Sequence, residues 1–126
     1  MTTCLIVDDS KIVRKVVRRI VEVFGFTILE AEDGKQAVDQ ARANTVDVII
    51  LDWNMPVMDG MECMKTIRAD PSIHQPKIIF CTTENEFSKI QMAMMNGADE
   101  YVMKPFDEAI IAGKLSQLGI IQDGAV

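Results

Sequence analysis

The sequence predicts a doubly wound α/β sandwich in which five strands alternate with five helices. Three observations carry this. Short apolar runs recur along the chain with little polar alternation, as expected of parallel strands covered on both faces. Helical apolar spacings fill the intervals between them. Each of the four strongest runs is followed by a polar residue capable of chemistry.

The elements follow in order. The first apolar run is Cys4-Leu5-Ile6-Val7, with Asp8-Asp9 directly after it. In the next segment Ile12, Val16, Ile20 and Phe24 recur every fourth residue, with Val13, Val17 and Val21 beside them. This predicts one wide stripe facing the core. Ser10 is its expected N-cap and Gly25 its end. A weaker strand, Thr27-Ile28-Leu29, precedes a helix expected over Lys35–Asn44 with Asp33 near its cap. Val48-Ile49-Ile50-Leu51 leads into Asp52, and a third helix is expected over Met61–Ala69, ending before Pro71. Ile78-Ile79-Phe80-Cys81 leads into Thr82, with a helix over Phe87–Asn96 ending at Gly97. Tyr101-Val102-Met103 leads into Lys104-Pro105, and the last helix begins after Asp107 and carries Ile110, Ile111, Leu115 and Leu118.

Composition narrows the function. The chain has 126 residues, the size of a single domain spanning 1–126, with 48% hydrophobic and 25% charged residues. A net charge of −6 argues against general nucleic-acid binding, so no DNA partner is expected. The apolar runs are far too short for a membrane span, and the first residues carry no signal-peptide pattern. Cys4, Cys63 and Cys81 have no metal-ligand spacing and read as reduced, buried thiols of a cytoplasmic protein.

In a parallel sheet the carboxyl ends of the strands share one edge, where open α/β sheets bind ligands. Asp8, Asp9, Asp52, Thr82 and Lys104 are therefore expected to converge. Three close carboxylates repel and must hold a proton or a cation. Lys104 supplies one positive charge and a divalent ion would supply the remaining two. An all-oxygen donor set points to Mg²⁺, with Mn²⁺ as a substitute. Such a site can receive a phosphoryl group on a carboxylate nucleophile.

Val7-Asp8-Asp9-Ser10, the run Asp52-Trp53-Asn54-Met55-Pro56-Val57-Met58-Asp59-Gly60, Thr82 and Lys104-Pro105-Phe106 together resemble the receiver domain of bacterial two-component response regulators, in particular its single-domain chemotaxis members. The resemblance runs from about Leu5 to Leu118. It implies the strand order 2-1-3-4-5. It implies Asp52 as phosphoacceptor, with Asp9, Asp52 and the Asn54 backbone carbonyl as Mg²⁺ ligands and Asp8 reaching the ion through water. It further implies Thr82 as a switch hydroxyl, Lys104 as the cation pairing with the phosphoryl group, and Tyr101 as an aromatic that swings inward when Thr82 moves. Asp59-Gly60 resembles the turn shaping the loop after Asp52. Asn54 and Glu84 stand where the family tunes loss of the phosphoryl group, and Thr83 departs from the smaller residue favoured there.

The implied function is a phosphorylation-activated signalling switch, not an enzyme acting on a separate substrate. It would take its phosphoryl group from a sensor histidine kinase or histidine phosphotransfer protein. The expected response is a shift of the face made by the fourth helix, fifth strand and fifth helix, near Met92, Met94, Met95 and Met103, toward a downstream target such as a flagellar motor protein. Lys11, Arg14, Lys15, Arg18 and Arg19 on the first helix form a possible docking surface for an acidic partner. With few residues after Leu118, the expectation is a monomer without an output domain. A phosphorelay shuttle or cell-cycle regulator shares the same core residues. An aspartate-nucleophile phosphatase fits less well, because Asp8-Asp9 lacks the Asp-x-Asp spacing. A flavin carrier also fits poorly, because two carboxylates after the first strand would repel a phosphate.

Overall fold

A computed structural model describes residues 2–82 and 87–121. The strands are β1 (Thr3–Val7), β2 (Thr27–Ala31), β3 (Val48–Asp52), β4 (Lys77–Thr82) and β5 (Glu100–Met103). The helices are α1 (Lys11–Glu22), α2 (Gly34–Ala43), α3 (Gly60–Ala69), α4 (Phe87–Met95) and α5 (Glu108–Gln117). All strand pairs are parallel and the sheet order is β2-β1-β3-β4-β5, the doubly wound topology expected from the sequence.

Strand periodicity divides the core in two. Leu5, Val7, Ile49, Leu51, Ile78 and Phe80 face α2, α3 and Ala93 of α4. Cys4, Ile6, Val48, Ile50, Ile79, Cys81 and Val102 face the other way, onto Val17 and Val21 of α1 and Ile111 and Leu115 of α5. Because successive side chains alternate faces, strands buried on both sides must be apolar at every position, which explains the unbroken apolar runs. The three cysteines are buried and free, as expected, and burial pushes the Cys4 and Cys63 thiols up to about 12.

Local chemistry sets the helix starts. Ser10, Asp33, Asp59 and Asp107 each accept a bond from the backbone N–H three residues on, at Val13, Gln36, Glu62 and Ile110. The turn expected at Asp59-Gly60 is therefore a helix start, with Asp59 as cap and Gly60 as first helical residue. Gly60 must be glycine because a methyl group there would collide with the Asp52 carbonyl oxygen.

The wide stripe expected on α1 is narrower in the structure. Val17 and Val21 are buried and Val13 and Ile20 partly so, while Ile12 and Val16 are exposed. A helix resting on a sheet buries only part of its circumference, so the edge of a stripe this wide is left over. With Pro105 and Phe106, that edge lines a groove of about 440 Å³ running up to Lys104.

Candidate functional site

β1 lies between β2 and β3, so the chain reverses its direction of winding at the β1–β3 junction. The carboxyl ends of these two strands open the crevice in which α/β sheets bind ligands. Asp8 and Asp9 follow β1, and Asp52 is the last residue of β3. Their carboxylate oxygens come within 4.8 Å of one another. Asp8 and Asp52 are buried, whereas Asp9 is exposed at the rim.

β3 and β4 each extend one residue past the apolar run, so Asp52 and Thr82 end strands rather than follow them. Register places Asp52 opposite Cys81, next to Thr82, and Thr82 opposite Met103. Thr82 is buried, and its carbonyl accepts the Lys104 N–H at 2.7 Å. Lys104 reaches back across the sheet edge. Its Nζ donates to Asp8 Oδ2 at 2.6 Å and to Asp52 Oδ1 at 3.0 Å. The Lys104–Pro105 bond is cis.

Electrostatics follow from this packing. Burial pushes the Asp52 carboxyl above its ordinary value and the charges of Asp8 and Asp9 add to the effect, while the Lys104 bond and charge counter it. Burial alone would lower the Lys104 pKa, but its bonds to Asp8 and Asp52 outweigh this and hold the ammonium above its usual range. Three ionised carboxylates facing one ammonium leave two negative charges uncompensated. A clustered all-oxygen donor set with that residue of charge fits one hard divalent cation.

The remaining expected residues are less concentrated. Asn54 is exposed in the loop joining β3 to α3. Tyr101 is partly buried in β5, packed against the core cluster that contains Phe80, with Lys114 Nζ 5.0 Å from its ring centroid. Glu84 and Thr83 lie outside the described residues. Met92, Met94, Met95 and Met103 are all substantially exposed rather than core.

The basic residues of α1 fall into two groups. Lys11, Lys15 and Arg19 are exposed. Arg14 and Arg18 instead point to Glu30 of β2, at 3.1 and 2.7 Å. Arg14 Nη1 also donates to the Asp8 carbonyl at 2.8 Å. The one sequence signal for this pairing was Glu30, a lone acid in an apolar strand, which needs a cationic partner when half-buried.

A family model of the response regulator receiver domain matches residues 4–116. The chain belongs to this family. The receiver domain is 36% identical over 113 residues to the chemotaxis protein CheY1 of Helicobacter pylori strain J99, covering 88% of this chain and 91% of that protein. It is 36% identical over 116 residues to the chemotaxis protein CheY homolog of Campylobacter jejuni, covering 90% of this chain and 89% of that protein. Among solved structures, Vibrio cholerae CheY4 superposes with a TM-score of 0.86 at 34% identity, covering 94% of this chain and 98% of that chain. The receiver domain of a Pseudomonas aeruginosa sensor histidine kinase, solved with magnesium coordinated in its active site cleft, gives a TM-score of 0.83 at 27% identity, covering 92% of this chain and 95% of that one. Receiver domains of this kind are signalling domains, and no described helix here is long and apolar enough to cross a membrane.

Proposed function

We propose that this receiver domain is a cytoplasmic chemotaxis switch that accepts a phosphoryl group on Asp52. The observation that carries the reading is the buried Asp52 carboxylate, held by Lys104 beside two further carboxylates at a sheet edge. Asp9, Asp52 and the Asn54 carbonyl would hold Mg²⁺, with Asp8 contributing through water. The ion, when bound, supplies charge neutralisation to the phosphoryl oxygens.

The chain's own residues do the rest. Lys104 opposes the rise that burial imposes on the Asp52 pKa and so favours the ionised carboxylate that acts as nucleophile. A carboxylate oxygen attacks the phosphorus of a donor phosphohistidine. The new O–P bond forms as the P–N bond breaks, and the imidazole nitrogen takes a proton from solvent. The acyl phosphate adds about one unit of negative charge and new acceptor oxygens. Thr82, adjacent on β4, donates its hydroxyl to one of them, and Lys104 pairs with another. Tyr101 then repacks, and the face formed by α4, β5 and α5 changes its population of conformers. Asn54 and Glu84 tune hydrolysis.

Two surfaces support the partner assignments. The donor, a histidine kinase or phosphotransfer protein, docks on the α1 groove lined by Ile12, Val16 and Phe106, with Lys11, Lys15 and Arg19 beside it on the same helix. The target, possessing a complementary apolar patch, meets exposed Met92, Met95, Met103 and Ile110. The relatives named for chemotaxis support a chemotactic output.

The test is incubation with Mg²⁺ and acetyl phosphate or phosphoramidate. Acid-stable, base-labile phosphate should form on the wild type and not on Asp52→Asn. Equal labelling of both would place the acceptor elsewhere.

A further inference from the structure

We propose that Arg14 is a positioning residue for the cation site, acting through the peptide that joins Asp8 to Asp9. The inference rests on the reading of Asp8, Asp9 and Asp52 as that site. Arg14 lies in the first turn of α1, and its side chain is only 12% exposed. Its guanidinium is held at two points. Nε donates to Glu30 Oε1 at 3.1 Å and Nη1 to the Asp8 carbonyl at 2.8 Å. Glu30 is itself fixed by Arg18, whose Nη1 donates to Oε2 at 2.7 Å.

The Asp8 carbonyl and the Asp9 N–H belong to one planar unit, so anchoring the carbonyl orients the plane from which Asp9 departs. The rest of Asp8 is already tied down. Its N–H donates to Ala31 O, its Oδ1 accepts from the Ser10 N–H, and its Oδ2 accepts from Lys104. Asp9 is different. Its carboxylate accepts no hydrogen bond among the described residues, so only the backbone aims it at the site. Arg14 supplies the remaining anchor of that backbone, and Glu30 orients the arginine from the edge strand.

Charge and position predict opposite signs. Arg14 is a cation close to a cluster of three carboxylates, and through charge alone its removal would tighten cation binding. Through position, its removal loosens Asp9 and weakens binding. Lysine keeps the charge but lacks the planar fork that spans Glu30 and the Asp8 carbonyl.

The experiment is a Mg²⁺ titration of the full chain, followed by the fluorescence of Trp53, the only tryptophan, and by calorimetry, with urea midpoints recorded alongside. Asp52→Asn identifies the signal belonging to this site. Arg14→Gln and Arg14→Lys should each weaken Mg²⁺ by about tenfold, in the range seen when an outer partner of a metal ligand is lost. Glu30→Gln, on an edge strand that tolerates the change, should weaken it by a smaller factor and add nothing in the Arg14→Gln background. Unchanged or tighter binding by Arg14→Gln overturns the proposal, as does a fully additive Glu30→Gln effect. If Arg14→Gln does not fold, unchanged binding by both Glu30→Gln and Arg14→Lys overturns it. A wild type with no Asp52-dependent Mg²⁺ signal removes the site reading itself, and the positioning role with it.

Discussion

Lys104 Nζ bridges Asp8 Oδ2 at 2.6 Å and Asp52 Oδ1 at 3.0 Å, so one ammonium from the end of β5 joins the ends of β1 and β3. Both carboxylates are buried, and the lysine is the cation between them. Lys104→Met keeps the length of the side chain and removes the charge. Losing one partner of a buried ionic cluster costs about 3 kcal/mol. Without divalent cations, the variant should therefore lose about that much in urea unfolding. Part of the loss should return on adding Mg²⁺, because the ion supplies the missing charge. A variant as stable as the wild type in the presence of a chelator would show that the bridge contributes nothing.

Asp9 carries the opposite balance. It is exposed, accepts no hydrogen bond among the described residues, and faces two carboxylates within 4.8 Å. In the metal-free protein it contributes repulsion without compensation. Asp9→Asn should stabilise the metal-free fold by roughly 0.5–1 kcal/mol while weakening Mg²⁺ by an order of magnitude or more, a functional residue held at a cost to stability. Chemical denaturation with chelator and a Mg²⁺ titration read the two halves separately. Destabilisation by Asp9→Asn would mean that Asp9 has a structural partner.

Much of this was legible in the sequence because parallel strands buried on both faces leave an unbroken apolar signature. The polar residues that end these apolar runs stand out for the same reason: Asp52 and Thr82 are conspicuous after four apolar neighbours. What periodicity cannot report is how much of a helix a sheet can cover. Ile12 and Val16 read as core beside Val17 and Val21, yet they line an open groove. Nor can a run of basic residues reveal which of them turn inward. Arg14 and Arg18 differ from Lys11 and Lys15 only in facing Glu30, a partner on a different element. The Gly60 approach to Asp52 likewise depends on how the loop folds back, with the Gly60 N–H donating to the Trp53 carbonyl at 2.9 Å.

Val57 holds a backbone conformation that its side chain resists. Its φ is +68°, and the Met58 N–H donates to the Pro56 carbonyl at 2.7 Å across it, closing a three-residue turn. Positive φ is unfavourable for a β-branched residue. The side chain is 78% exposed, so little packing offsets the strain. Val57→Asn, which tolerates that conformation, should stabilise the fold by about 1 kcal/mol. The urea midpoint of the purified variant measures this, and a fall in midpoint would mean that the valine makes contacts worth more than the strain.

Asp70 gives the fold an acid-sensitive tie between α2 and α3. It caps the end of α3 and accepts bonds from the Ser72 hydroxyl at 2.6 Å, the Ser72 N–H at 2.9 Å and Arg42 Nε, near the end of α2, at 2.9 Å. The Ser72 hydroxyl, then Arg42, then the Ser72 N–H pull its pKa down to about 2. An unfolded aspartate titrates near 3.9, so between these values the unfolded chain binds the extra proton and stability rises with pH. The contribution is complete above about pH 5 and is lost as pH falls through the folded value. Asp70→Asn cannot ionise. The gap in urea midpoint between it and the wild type should therefore be widest near neutrality and narrow steadily from about pH 4 toward about pH 2. A gap that stays constant across that window would assign the role of Asp70 to its hydrogen bonds alone, independent of its charge.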